Sequence, residues 1–403
     1  SAAMLAERAA AGERGAAERW AHHLLAAGEP AAAVSPLLTG ARERRETSDY
    51  SAARDLLARR DRILTDLGAG ARDPRWGEGW VLRARIHLHQ GELQEVFRWA
   101  GRAVSGGIEG DWTTIRPEAL RLLGDAARRR GDLSEAARLY ERCIALPDNP
   151  HSAAASLWGL GDVARQRGDL QQARDLFDRS RSLYEEIGDV HGLADHRIGL
   201  ADLARQRRDV AAAESFYVEA AARFEELGNR YGLARGLNGL GEVSRLRGDL
   251  DEAGRRYERA RSILTELSSA DEIFPRVNLA FVSLAEGHFG RTRRELEEIR
   301  NLLAGMGWGG LLTCVHAALL SCAAQARDWS LWDESFAIVS SIAESRGLVE
   351  PDLAWAAELA GRLTEWAGER ARARAIYELA RAQWRALGDG EGDARMERAL
   401  GSL

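Results

Sequence analysis

The sequence contains no lysine, and each of its 56 basic residues is an arginine. A phosphate-binding GxxxxGK(S/T) loop, a Schiff-base lysine and a kinase-type catalytic lysine are therefore impossible within this chain. The 62 acidic residues give the 403-residue chain a formal net charge of −6, which disfavours a general nucleic-acid binder. We expect no direct contact with DNA or RNA.

Cysteine is scarce as well, and its three positions match no zinc or disulfide pattern. Cys143 stands alone, and Cys314 and Cys322 are eight residues apart on a helical pattern. Buried free thiols are the expected state, which fits a reducing compartment. No apolar run is long enough to span a bilayer, and the start SAAMLAERAA lacks the regions of a signal peptide. The sequence therefore predicts a soluble cytoplasmic protein without membrane contact.

Histidine and serine offer no catalytic or metal-binding pattern. His22 and His23 are adjacent, and His87 and His89 are two residues apart, so neither pair places both rings on one helical face. Ser48 has no histidine in local register for a hydrolase triad. We expect no metal, no other cofactor and no enzyme activity.

What the sequence does contain is an internal repeat of about 40 residues. Turn signals, three of them Gly-Asp-Leu, recur every 37 to 43 residues, at Ser48, Gly91, Gly131, Gly168, Arg208, Gly248, Gly287, Asp328 and Gly368. A small residue recurs seven positions before the turn, at Gly124, Gly161, Ala201, Gly241, Ala280, Ser321 and Gly361. After the turn come an alanine and then an aromatic residue, the latter at Tyr140, Phe177, Tyr217, Tyr257 and Tyr377.

This pattern predicts a helical hairpin that repeats along the chain. Two helices approach closely only where one of them presents Gly or Ala, and the aromatic residue fills the space beside that pair. The turn glycine ends the first helix in a left-handed conformation, and the Asp that follows caps the second helix. A single hairpin cannot bury its apolar face, so the hairpins must stack.

Small residues, a Gly turn, Ala and an aromatic at this spacing resemble the tetratricopeptide repeat family. The resemblance is strongest from about Glu118 to Leu267. The second helix is longer than in the usual 34-residue unit, and Gly188-Asp189, Gly228-Asn229 and Gly388-Asp389 replace the closing proline. The linkers GDVHGLAD and GNRYGLAR and the N-terminal WAHHLLAAGEPAAAVSPLL resemble the C-terminal sensor arrays of bacterial STAND/AAA-type ATPase regulators and kinases.

The resemblance implies an all-α fold, an α-solenoid in which the hairpins stack as a right-handed superhelix. We expect residues 1–47 to join or cap the array, residues 48–270 to form repeats with a charged groove, and residues 271–403 to form divergent, tryptophan-rich repeats and a C-terminal cap.

In the resembling family, the first helix of each hairpin lines a concave groove that binds protein or peptide segments. The matching positions in four successive units carry an acid followed three residues later by arginine: Asp125 and Arg128, Asp162 and Arg165, Asp202 and Arg205, Glu242 and Arg245. Further groove positions are Arg121, Trp158, Arg235 and Asn238. Either these charges are ion pairs on a solvated face, or the arginines grip carboxylates or phosphates of a bound segment.

Beyond about residue 272 the groove positions become apolar, with Phe274 and Phe281 among them. Six of the twelve tryptophans fall in the last hundred residues, from Trp308 onward. Such a face is either a docking surface, which includes a homodimer contact, or packing between divergent repeats. Both interpretations stay open at this point.

Three functions fit these observations. The first is a protein–protein interaction and sensor module that binds a protein or peptide in its groove, as the C-terminal part of a larger bacterial signalling regulator whose ATPase or kinase domain lies outside this chain. The second is a stand-alone peptide-pheromone receptor, and the third is a self-association scaffold.

Overall fold

The protein is described by a computed structural model. It covers the backbone of residues 2–346 and 348–403 and the side chains of residues 3–343 and 348–403. The described residues form 21 α-helices and one short 3₁₀-helix, and they contain no β-strand. The predicted all-α class is confirmed.

In chain order the α-helices are α1 (Ala2–Ala10), α2 (Ala16–Ala26), α3 (Pro30–Glu46), α4 (Tyr50–Asp66), α5 (Pro74–His89), α6 (Leu93–Glu109), α7 (Ile115–Arg130), α8 (Leu133–Ile144), α9 (Pro150–Gln166), α10 (Leu170–Ile187), α11 (Val190–Gln206), α12 (Val210–Glu226), α13 (Arg230–Leu246), α14 (Leu250–Glu266), α15 (Ile273–Ala285), α16 (Phe289–Met306), α17 (Gly309–Ala326), α18 (Trp329–Arg346), α19 (Pro351–Trp366), α20 (Arg370–Ala386) and α21 (Gly390–Ser402). The 3₁₀-helix (Ala270–Glu272) precedes α15.

The helices pair into nine hairpins, from α3–α4 to α19–α20, with α1 and α2 before them and α21 after them. Each of the nine predicted turns lies between the two helices of one hairpin. In eight of them the predicted residue has the left-handed φ that a tight turn requires. In the turn between α17 and α18 that conformation belongs to Arg327, one residue earlier than predicted, and Asp328 accepts the Leu331 N–H at 3.1 Å as a helix cap.

The aspartates after the turns cap the second helices as predicted, whereas Glu92 and Glu369 at the equivalent positions make no such bond. Asp169 accepts the Gln172 N–H at 3.1 Å at the start of α10. Between hairpins, Asp189 does the same for the Gly192 N–H at 2.9 Å at the start of α11. These side chains pair backbone donors that the first helical turn leaves unsatisfied, so the repeat boundaries are encoded locally.

An aromatic ring lies against two helices in the central repeats. Tyr140 of α8 is fully buried, between Gly124 of α7 and Gly159 of α9. A Cβ atom at either glycine would lie 2.5 Å from the ring. Phe177 lies in the same way against Gly161, where a Cβ would be 2.6 Å from the ring. The small residues are therefore required for the helix spacing, which confirms their predicted role.

The array curls until its first and last thirds touch. Trp308, at the start of α17, is 1% exposed and its indole N–H donates to the Gly91 carbonyl at 3.3 Å. Arg129 of α7 pairs with Asp271 at 2.7 Å. Apolar residues of α5 to α8 form one continuous core with those of α15 to α20. These contacts close the concave side of the array. The repeat pattern by itself predicts only an open, curved groove.

Helix α17 lies at the centre of this closure. It packs against α16, α18 and α19 and also contacts α7. By length and composition it is the one helix among the described residues that could cross a membrane, with a mean hydropathy of 1.4, so the expectation that no apolar run is long enough was wrong. However, 67% of this helix is buried inside the protein. Its apolar character therefore matches a core helix.

Two glycine substitutions test the spacing of the helices. Gly239→Ala would place a Cβ 2.2 Å from the Tyr217 ring, and we expect it to destabilise the protein by about 1–3 kcal/mol because the interface is overpacked. Gly254→Ala, in α14 with nothing within 4 Å of the added Cβ, should stabilise by up to about 1 kcal/mol. Urea denaturation measures both, and equal effects would contradict this account of the glycines.

Candidate functional site

A cavity of about 1090 Å³ occupies the closed concave side. The first helices of successive hairpins line it, together with residues that precede α19. The predicted groove residues that line it are Arg121, Asp125, Arg128, Trp158, Asp162, Arg165, Asp202, Arg205, Arg235, Asn238, Glu242, Phe274 and Phe281. Arg245 lies beside it, with its guanidinium 5.5 Å from the Phe281 ring centre.

The predicted acid and arginine pairs lie on the first helices of four successive hairpins, and we call them the ladder: Asp125 and Arg128, Asp162 and Arg165, Asp202 and Arg205, Glu242 and Arg245. Asp162 and Arg165 pair within α9 at 2.9 Å, as the i, i+3 spacing predicts. Arg128 instead reaches the next hairpin and donates to Asp162 at 2.7 Å. Arg205 likewise lies 2.7 Å from Glu242 of the next hairpin. Two of the four arginines therefore reach the next hairpin, whereas Arg165 pairs within its own helix.

Tyrosine hydroxyls bond to two acids of the ladder, and neither of these acids pairs with the arginine three residues later in its helix. Tyr140 donates to Asp125 at 2.7 Å, and Tyr217 donates to Asp202 at 2.5 Å. In the hairpin between them the aromatic residue is Phe177, which has no hydroxyl, and there Asp162 pairs within its helix. In these three hairpins the pairing differs with the presence of Tyr or Phe in the second helix, a difference that the spacing of the charged residues does not contain.

Asp162 is the most highly connected acid of the ladder. It accepts hydrogen bonds from Arg128, Arg165 and Gln166 at 2.7 to 2.9 Å. Burial by itself raises the pKa of this carboxyl, but the charges of Arg165 and Arg128 outweigh burial and hold its pKa at about 2. The carboxylate is therefore ionised throughout the physiological pH range.

Trp158 lies between two arginines in the cavity wall. Its ring centre is 6.0 Å from the Arg128 guanidinium and 5.4 Å from that of Arg235. Its indole N–H donates to the Asp195 carbonyl at 3.0 Å, and Arg235 pairs with the Asp195 carboxylate. The arrangement holds a flat apolar surface between two cations, which suits contacts with a polar chain that carries some apolar side chains.

Asn238 belongs to a smaller network at the next hairpin. Its amide donates to Glu242 at 3.1 Å and its carbonyl accepts from Asn278 at 3.0 Å. Arg121 donates to Glu118 and to Asp125 at 2.6 Å each. Both residues are held by partners within the protein, as are the members of the ladder.

The two predicted apolar positions differ in their surroundings. Phe274 is 38% exposed and its ring centre lies 5.7 Å from that of Trp308. Phe281 is fully buried and packs on Trp355, with 5.8 Å between ring centres. Packing between divergent repeats describes Phe281, whereas Phe274 presents apolar surface to the cavity.

Sequence reasoning missed the residues that reach the ladder from elsewhere in the chain. Glu350 lies 3.4 Å from Arg165, and Asp352 pairs with Arg245. At the opposite end Arg45 lines the cavity, and burial together with the nearby Arg85 charge lowers the pKa of its guanidinium. None of these residues stands in the repeat register, so the pattern could not have identified them.

Within the part of the chain that the structure describes, no group of three His, Cys, Asp or Glu side chains is placed to hold a metal ion. The three cysteines are free thiols, and Cys143 and Cys322 are buried. Burial raises the pKa of the Cys322 thiol to about 12, which keeps it protonated and unreactive.

The ion pairs of Glu118 should make the free energy of unfolding fall at acid pH. Burial disfavours the charged form of Glu118, but Arg121 and Arg85 lower its pKa from an ordinary 4.5 to about 2. A carboxyl with a depressed pKa stabilises the folded state above its ordinary pKa, and that contribution is lost as the pH falls toward the folded-state pKa. We expect Glu118→Gln to cost about 1–3 kcal/mol at neutral pH, and the cost should shrink between about pH 4.5 and 2.

Urea denaturation across this pH range measures the difference between wild type and variant. Glu141→Gln, at an exposed position on the adjacent α8, is the matched control and should follow the wild type at every pH. A Glu118→Gln deficit that stays constant down to the acid limit would contradict the pairing.

Comparison with known proteins bears on the fold. Two family models described as tetratricopeptide repeat match residues 119–153, and residues 152–226 and 192–266. No curated protein matches the sequence. These models cover the central segment in which the repeat pattern is most regular.

Solved structures resemble the chain over most of its length. A Rap protein complexed with competence and sporulation factor is 12% identical, covers 92% of this chain and 96% of its own, and gives a TM-score of 0.56. A Rap conjugation gene regulator of a plasmid, in complex with a Phr peptide, is 14% identical, with coverages of 91% and 97% and a TM-score of 0.55. A STAND protein with a tetratricopeptide repeat sensor from Pyrococcus horikoshii is 12% identical, with coverages of 86% and 54% and a TM-score of 0.44.

At these identities the first two structures establish a shared fold. The repeat positions, the hairpin geometry and the family models agree over residues 119–266. Residues 119–266 therefore match the tetratricopeptide repeat family, and nearly the whole chain has a helical-repeat fold similar to that of the Rap proteins.

Proposed function

We propose that this chain is a sensor module that binds an extended peptide, or an extended segment of a protein, in its concave cavity. The observation that carries the proposal is the cavity itself, with a volume of about 1090 Å³. Small-molecule sites span roughly 300–1,000 Å³ and are mostly apolar. A larger space lined by arginines, carboxylates and aromatic rings fits a peptide better than a compact metabolite.

The fold relatives support a peptide as the ligand. The Rap protein was crystallised with competence and sporulation factor, and the plasmid regulator with a Phr peptide. Their likeness to this chain is a likeness of fold, so the ligand class is argued from the cavity. Trp158 offers an apolar surface between Arg128 and Arg235, and Phe274 offers a second apolar surface beside Trp308.

Binding would work through exchange of ion-pair partners. Each arginine of the ladder is paired in the free protein, so a ligand carboxylate replaces an internal one instead of meeting an unpaired charge. Because the cavity wall includes both ends of the closed array, a ligand that prefers one curvature shifts the balance between closed and open states. The Trp308 and Arg129 contacts are the ones that such a shift would change.

The setting we propose is the C-terminal part of a larger cytoplasmic bacterial regulator, with an ATPase or kinase domain as fused partner. A stand-alone peptide receptor and a self-associating scaffold are the competing settings. The sequence of the complete gene separates the first two, since an upstream GxxxxGK(S/T) motif would indicate a nucleotide-hydrolysing domain. A concentration-dependent mass in light scattering would indicate the homodimer.

A matched pair of tryptophan substitutions tests the cavity. Peptides are first selected on the wild-type protein from a synthetic hexapeptide library, and fluorescence anisotropy then measures their affinity. Trp158→Ala should weaken binding at least about tenfold, because tryptophan in a binding pocket acts as an anchor. Trp366→Ala removes a tryptophan that is 73% exposed and does not line the cavity, and it should leave the affinity unchanged.

Circular dichroism confirms that both variants are folded. If the wild type retains no peptide, or if the two substitutions weaken binding equally, the cavity is not a peptide site.

A further inference from the structure

A short segment of the chain itself crosses the cavity. It consists of residues 348–350, which precede α19, and of Pro351 and Asp352, the first two residues of that helix. Leu348 and Val349 are 6% and 7% exposed. Glu350 has an extended backbone, with φ −137° and ψ 132°. The segment lines the cavity through Leu348, Glu350 and Asp352, so part of the groove is occupied by the protein's own chain.

The backbone of this segment is hydrogen-bonded on two sides. The Val349 N–H donates to the Gln166 carbonyl at 2.9 Å, and the Gln206 amide donates to the Val349 carbonyl at 3.4 Å. On the other side the Gln383 amide donates to the Leu348 carbonyl at 3.0 Å and accepts the Glu350 N–H at 3.2 Å. Such main-chain bonds hold an extended peptide without regard to its sequence.

Two side chains of the segment add specificity. Glu350 lies 3.4 Å from Arg165 of α9, and Asp352 pairs with Arg245 of α13. The two carboxylates are two residues apart, and their partners occupy the same position in hairpins that are separated by one repeat. Arg205 occupies that position in the repeat between them. The two carboxylates therefore meet the arginines of the first and third of three successive repeats, while Arg205 of the middle repeat pairs with Glu242.

We propose that residues 348–352 act as a built-in acidic ligand, and that the partner which this protein senses carries an extended segment with two carboxylates two residues apart that takes their place. The inference rests on the proposed function, and it names the class of ligand. Arg165, Arg205 and Arg245 would then exchange internal carboxylates for those of the partner.

Displacement would also change the shape of the array. The segment leads directly into α19, which packs along α17 in the centre of the closure. Removal of Glu350 and Asp352 from the ladder frees the start of α19 from hairpins α9–α10 and α13–α14. Ligand binding and opening of the closed array are thus coupled through one connection.

A peptide added in trans tests the competition directly. The probe is fluorescein-labelled LVEPDL, the sequence of residues 348–353, and anisotropy measures its binding to the wild type and to the double variant Glu350→Gln with Asp352→Asn. The variant weakens the internal contacts, so it should bind LVEPDL at least about tenfold more tightly than the wild type. The neutral peptide LVQPNL should show no such gain.

The binding experiment needs two controls, one for folding and one for position. The double variant must retain the wild-type circular dichroism spectrum, and Glu141→Gln serves as a control at an exposed position outside the groove. If the folded double variant binds LVEPDL no better than the wild type does, the segment is not a competing ligand.

Hydrogen exchange tests the same idea without any substitution. A displaceable segment opens locally, so the Val349 and Glu350 amides should exchange faster than global unfolding allows, while the amide of Ala318 in the α17 core exchanges only on global unfolding. If all three amides exchange together, the segment is an integral part of the core and the inference is overturned.

These experiments distinguish failure of the built-in ligand from failure of the proposed peptide site. A library peptide that depends on Trp158 but does not compete with LVEPDL supports the peptide site and overturns the built-in ligand. If the double variant binds LVEPDL more tightly than the wild type, but no library peptide depends on Trp158, the inference for the arginine ladder is supported. The wider cavity site is then overturned.

Discussion

In the central repeats, an aromatic ring lies against two helix backbones at once. Tyr140 fills the space between Gly124 and Gly159, and Phe177 that between Gly161 and Gly199. This contact sets the distance within a hairpin and between one hairpin and the next, because a Cβ atom would overlap the ring at Gly124, Gly159 and Gly161 and press tightly on it at Gly199. The stacking, the curvature and the position of the groove all follow from it.

The charged ladder depends on that spacing in turn. Arg128 reaches Asp162 and Arg205 reaches Glu242 only because neighbouring first helices lie side by side. Buried charges without partners are costly, and breaking one such pair costs about 3–5 kcal/mol. The ladder therefore acts as a set of matched contacts between repeats, and any ligand must supply equivalent partners. This requirement favours an acidic segment over a neutral or purely apolar one.

Closure turns a repeat array into a protein with an interior. The indole of Trp308 donates to the Gly91 carbonyl, and Arg129 pairs with Asp271 across the same junction. These contacts join residues that are more than 140 positions apart in the chain. A site built across such a junction responds to changes at either end, which is the property that a sensor needs.

Most of the fold could be predicted from the sequence, since its determinants are local and recur. Gly168 and Asp169 end one helix and begin the next through contacts within four residues, and spacing places the small and aromatic residues on facing sides. The resemblance to the repeat family, applied to the same register, predicts that Arg165 and Arg205 line the groove. The ion-pair partners of these two arginines could not be predicted in this way. The hydroxyl of Tyr217 bonds to Asp202, whereas Phe177 has no hydroxyl and Asp162 pairs with Arg165.

The local pattern by itself determined the hairpins and their number, and the resemblance to the repeat family indicated which helix faces the groove. Only the tertiary structure decided that the groove is closed and that Glu350 and Asp352 enter it. The physical reason is distance along the chain. A repeat pattern reflects contacts between neighbouring repeats. The curvature that accumulates over many repeats brings remote segments together, and it cannot be predicted from any one short motif.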